Sequence, residues 1–149
     1  MPDKFDELEE EILEIMKKIY SETVIDHAMN PRNLEQITTP DGFGSATSGC
    51  GEIMEIRLKA TDGKITNASF WTNGCSTTVA CGSMASELIK GKDVSRALTI
   101  SQNDIVEALD GLPEANKHCA LLAANTVKAA TLDYMAIRKE PWKKSHRKC

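Results

Sequence analysis

Five cysteines carry most of the chemistry available to this 149-residue chain: Cys50, Cys75, Cys81, Cys119 and Cys149. Three of them share a local setting. Cys50 lies in Ser48-Gly49-Cys50-Gly51-Glu52, Cys75 in Asn73-Gly74-Cys75-Ser76, and Cys119 directly follows His118. Glycines let a backbone approach a bulky inorganic ligand. Thiolates ligate soft metals and attack sulfur, and a helix N-terminus lowers thiol pKa toward that form. Cys75 and Cys119 are both expected at helix starts. The cysteine spacings match no Cys-x-x-Cys knuckle, so spacing alone does not specify a metal site. Three buried small hydrophobes fit it as well.

The elements that must position these residues are legible in the hydrophobic pattern. Phe5, Leu8, Ile12, Ile15 and Ile19 recur at helical spacing and predict a packing face, with dimerisation or partner contact as the alternative. The pattern runs on through Val24, Ile25 and Ala28 to Asn30-Pro31, as one long helix or two shorter ones. Residues 31–49 read as a loop with a short strand near Gly44–Ser48. Met54, Ile56 and Leu58 alternate with Glu55, Arg57 and Lys59, a half-buried strand. Asp62-Gly63 predicts a hairpin into a strand over Lys64–Thr72. A helix to about Lys90 follows Cys75, Ser101-x-x-Asp104 resembles a capping box, and a last helix runs from about Asn116 to Arg138. Strands grouped between helices predict an α+β fold: a small three-stranded antiparallel sheet packed against several helices, with a long N-terminal and a long C-terminal helix. Residues 1–138 form one expected domain and 139–149 a basic tail.

The chain is 41% hydrophobic and 27% charged, an ordinary globular composition. No run approaches the roughly 18 apolar residues of a membrane span. The acidic start shows no signal-peptide pattern, so the expected location is cytoplasmic and a disulfide framework is not expected. A net charge of −4 argues against a nucleic-acid partner. GxGxxG and P-loop motifs are absent.

Several stretches together carry a family resemblance: Tyr20-Ser-Glu-Thr-Val-Ile-Asp-His-Ala-Met-Asn-Pro-Arg-Asn33, Gly49-Cys-Gly-Glu52, Asn73-Gly-Cys75, Glu87-Leu-Ile-Lys-Gly-Lys92 and His118-Cys119. In this order they resemble the IscU/NifU-type iron–sulfur cluster assembly scaffolds over roughly residues 20–138. The resemblance implies a scaffold and carrier rather than an enzyme. A cysteine desulfurase delivers sulfur, a [2Fe-2S] cluster is built from it with iron, and the cluster passes to apo iron–sulfur acceptor proteins. By matching position the implied ligands are Cys50, Glu52, Cys75, His118 and Cys119. Three thiolates with one oxygen or nitrogen ligand give a more exchangeable bond than four thiolates, which suits a protein that releases its cargo. Cys50 or Cys119 is the expected acceptor of a persulfide.

This chain departs from the family pattern in three places. Glu52 stands where the family usually has Asp; it is expected to remain a ligand or gate. Leu112-Pro-Glu-Ala-Asn116 lacks the second Pro, the Val and the Lys of the segment read by a specialised heat-shock chaperone, which puts that partner in doubt. Cys81 falls where the family has a small residue and is expected to be a buried hydrophobe, with Cys149 an exposed bystander. His27 is read as structural or surface, His146 as solvated, and Trp71 as core or interface.

Two rival functions remain. A zinc-binding structural or regulatory protein would use the same Cys/His pocket, and zinc would also occupy a scaffold purified in air. A thiol hydrolase using Cys119 and His118 is disfavoured because adjacent helical residues diverge by about 100°. A homodimer is compatible with the sequence.

Overall fold

The computed structural model describes residues 4–139. Two helices open the chain, α1 (Lys4–Ile19) and α2 (Glu22–Met29). The break between them is local chemistry. Ser21 caps α2 by accepting the Val24 N–H at 3.1 Å, and its hydroxyl donates to the Leu109 carbonyl, pinning the junction to the body. Next come β1 (Gly42–Thr47), β2 (Ile53–Thr61) and β3 (Lys64–Thr72), then α3 (Ser76–Ile89), α4 (Val94–Ala97) and α5 (Gln102–Ala108). A 3-10 turn at Glu114–Asn116 leads into α6 (Lys117–Lys139).

The sheet is antiparallel in the order β1-β2-β3. Asp62 and Gly63 both take positive φ, 53° and 79°, the backbone of a tight hairpin whose twist matches its strands. Register places Ile56 opposite Phe70 and Leu58 opposite Ala68, and all four are buried. α3 and α6 pack on the sheet and complete the core with Ala80, Cys81, Ala85, Ile89, Ala123, Val127 and Ala130.

The approach of α6 to β1 is very close. A Cβ built on Gly44 would lie 2.2 Å from the Ala130 amide nitrogen, so only glycine lets this strand and helix backbone meet. This contact, with the Phe43 N–H donating to Asp133 at 2.8 Å, fixes α6 along the sheet.

The expected α+β architecture is the one found, with α4 as a short helix the pattern did not show. The capping box is present: the Ser101 hydroxyl accepts from the Asp104 N–H and the Asp104 carboxylate from the Ser101 N–H. The stripe on α1 corrects an expectation. Leu8, Ile12, Ile15 and Ile19 are each at least half exposed, so it is not a packing face within this chain. The Ser21 break carries α1 off the core before its apolar side can reach it.

His27 is buried, with Nδ1 2.8 Å from the Ser83 hydroxyl, which also accepts the Arg32 N–H. Burial holds the His27 imidazole below its ordinary pKa. Asn33 takes a positive φ of 63°, donates to Ser86 and Glu87, and its carbonyl accepts the Phe70 N–H. The His27–Asn33 stretch is therefore a structural clamp joining α2, β3 and α3. Trp71 is 38% exposed, outside the core. Cys149 and His146 lie outside the described residues.

Candidate metal centre

Three segments deliver the candidate ligands to one end of the sheet. The first is the turn between β1 and β2. Ser48 closes it: its N–H donates to the Glu52 carbonyl at 2.8 Å, its carbonyl accepts from the Gly51 N–H at 3.0 Å, and its hydroxyl accepts from the Glu52 N–H at 3.1 Å. Cys50 sits exposed at the tip, its Sγ 3.5 Å from the Ser48 hydroxyl.

The second is the junction of β3 and α3. The Asn73 side chain accepts the Ile53 N–H at 2.8 Å, and the Thr72 hydroxyl donates to the Ile53 carbonyl at 2.7 Å. These bonds tie the approach to Cys75 onto the strand that leaves Glu52. Cys75 is the residue preceding the first turn of α3, and its Sγ lies 3.5 Å from the hydroxyl of Thr78 in that turn. The third is the start of α6. His118 is exposed there, and Cys119 is fully buried.

The ligand atoms of Cys50, Glu52 and His118 all lie within 4.8 Å of one another. The other two thiols join this group through short contacts. Cys119 Sγ is 3.6 Å from His118 Nε2. The Thr78 hydroxyl is 3.5 Å from Cys75 Sγ and 3.3 Å from Cys119 Sγ, and it donates to Glu52 Oε2 at 3.0 Å. Glu52 Oε1 accepts the Cys75 N–H at 3.3 Å. All five side chains singled out in the sequence thus meet at one rim. Thr78 is the residue that sequence reasoning missed. Its only signal was a polar side chain three positions after Cys75, on the same face of the helix.

The thiols are not alike. Burial pushes Cys75 upward, but hydrogen bonds from the Thr78 hydroxyl and from the Thr78 and Thr77 backbone outweigh it, so the thiol lies below its ordinary pKa. The helix start does there what was expected of it. Cys119 behaves oppositely. Burial, with the nearby Cys75 and Glu52 charges, outweighs the Thr78 hydrogen bond and pushes it up to about 11. The expectation that both helix starts favour thiolates is corrected at Cys119: desolvation exceeds the helix-end effect once the sulfur is covered. Cys81 is buried among apolar side chains, which pushes its thiol up strongly, and it takes no part in the cluster.

A second correction concerns His118 and Cys119. Their Cα–Cβ directions diverge, yet the imidazole is long enough to fold back onto the sulfur, so adjacency did not keep the two apart. The raised thiol of Cys119 is the better argument against an activated nucleophile there.

Three thiols with one carboxylate and one imidazole, gathered at one rim of an α+β body, are a donor set of the kind that could hold a soft metal ion. Residues 19–141 match the NifU-like N-terminal domain, and the chain belongs to that family. It is 42% identical over 117 residues to the iron-sulfur cluster assembly scaffold protein IscU 1 of Archaeoglobus fulgidus, covering 78% of this chain and 76% of that one. It is 41% identical over 124 residues to the IscU scaffold of Escherichia coli K12, covering 80% and 96%. A crystal structure of a Fervidobacterium islandicum protein named for the SUF system shares the fold, with TM-score 0.63, 19% identity and coverage of 76% and 97%. A NifU-like N-terminal structure from Brucella abortus does so with TM-score 0.51, 20% identity and coverage of 90% and 99%.

Proposed function

We propose that this chain is an iron–sulfur cluster assembly scaffold. Iron and desulfurase-derived sulfur are combined on it into a [2Fe-2S] cluster, which is handed to apo-proteins; the chain is a carrier, and turnover belongs to its partners. The proposed ligands are Cys50, Cys75 and Cys119, with Glu52 or His118 completing the set. The observation that carries this reading is the meeting of five side chains from three sequence-remote segments at one rim.

The donor chemistry fits the cargo. Thiolates hold iron–sulfur clusters, and one carboxylate or imidazole ligand weakens a single bond for exchange. Cys50 and Cys75 are exposed, so sulfur and iron have access from solvent. Sulfur acceptance as a persulfide falls to Cys50 with the site as it stands; at Cys119 it requires the cover over the thiol to open. No helix among the described residues is long and apolar enough to cross a membrane. The proposed setting is cytoplasmic. The uncovered α1 stripe is a surface for the desulfurase or a second copy.

Oxygen-free reconstitution with iron, sulfide and reductant tests the proposal. Visible cluster absorption is expected, and it should disappear in Cys50→Ser, Cys75→Ser and Cys119→Ser variants. The same donor set accepts zinc, so retained zinc with no cluster would replace the scaffold reading with the zinc-protein alternative.

A further inference from the structure

Thr78 is fully buried in the first turn of α3, directly beneath the candidate ligands. Its oxygen is 3.0 Å from Glu52 Oε2, 3.3 Å from Cys119 Sγ and 3.5 Å from Cys75 Sγ. A hydroxyl has one proton to donate, so it serves one of these acceptors at a time. A carboxylate is a much stronger acceptor than a neutral thiol. While the neighbouring thiols are protonated, the proton therefore belongs to Glu52; a thiolate at Cys75 competes for it. With the Cys75 N–H on Oε1, both oxygens of Glu52 are held by donors at the N-terminal end of α3.

We propose that Thr78 is a positioning residue for the cargo site: its hydroxyl parks the Glu52 carboxylate on α3 while the site is empty, and turns to a ligand sulfur when Glu52 leaves to meet metal. The inference rests on the scaffold reading and deepens it. Once Glu52 departs, the freed O–H faces two sulfurs within bonding reach. Donation to a thiolate sulfur withdraws charge from it and favours the reduced cluster. One buried group thus links the release of the gate to the electronic state of the cargo.

Thr78→Val, Thr78→Ala and Thr78→Ser variants of the full chain test this. Valine keeps the branched shape that packs on Gly74, where a Cβ would come within 2.7 Å of the Thr78 side chain. Alanine removes the hydroxyl without that bulk and serves if the valine variant misfolds. Serine restores the hydroxyl. In metal-free protein, amide exchange at Cys75, followed by NMR, should rise roughly fivefold in T78V and T78A, the factor carried by one hydrogen bond of ordinary net strength, and return to the parent rate in T78S. After reconstitution, the cluster midpoint potential should move to more negative values in T78V and T78A and recover in T78S. Parent-like values for T78V and T78A in both measurements, or T78S behaving like T78V, would overturn the assignment. Failure of the parent protein to hold a cluster would count against the scaffold reading instead, while the amide measurement still tests the grip of Thr78 on Glu52.

Discussion

Alkylation of the metal-free protein at pH 8 should label Cys75 well before Cys119. The magnitude follows from the site. With its thiol pushed up to about 11, Cys119 is about one part in a thousand thiolate at pH 8, against about a quarter for an ordinary thiol of pKa about 8.5. That ratio is roughly 200-fold. A more basic thiolate is the better nucleophile, and a Brønsted slope of about 0.45 returns roughly a factor of 13. Ionisation alone then leaves Cys119 about 15-fold slower than an ordinary thiol. Cys75, held below its ordinary pKa and exposed, reacts without this handicap. The fully buried position of Cys119 adds steric protection, which slows it further. Iodoacetamide time courses read by peptide mass spectrometry measure both sites in one sample. The Cys119 rate should climb about tenfold per pH unit toward pH 11, and in guanidinium the two rates should converge. Equal labelling at pH 8, or a Cys119 rate that levels off below pH 9, would refute the account of burial overriding the helix end.

Two further outcomes follow from the fold. Between about pH 8.5 and 11 the Cys119 thiol is ionised in the unfolded chain but still protonated in the native one, so stability is complete below that window and falls as pH rises through it. The loss for this group is about 2–3 kcal/mol by pH 10.5, measurable as a drop in urea midpoint that shrinks in Cys119→Ala; a midpoint unchanged from pH 8 to 10.5 contradicts it. Gly44→Ala places a methyl against the α6 backbone at Ala130. It should cost at least about 1–3 kcal/mol, a fall in Tm of several degrees, with Gly49→Ala, whose added methyl meets nothing within 4 Å, as the near-neutral control.

Much of this protein was legible along the chain because its signals are local. Alternation in β2, the Asp62-Gly63 turn, the Ser101–Asp104 box and the helical stretch of α6 each express backbone geometry over a few residues. The family motifs named Cys50, Glu52, Cys75, His118 and Cys119 as a set, since residue types at fixed places carry that information. Distance and dielectric environment were decided only by the tertiary structure. Nothing along the chain tells that Gly44 lets α6 lie against β1, or that Thr78 stands under three candidate ligands at once. Nor does it tell that two cysteines at similar helix starts part ways, one thiol drawn down by hydrogen bonds and the other driven up by burial. A thiol's acidity depends on solvent exclusion and on charges brought near by folding, and both come from segments remote in sequence.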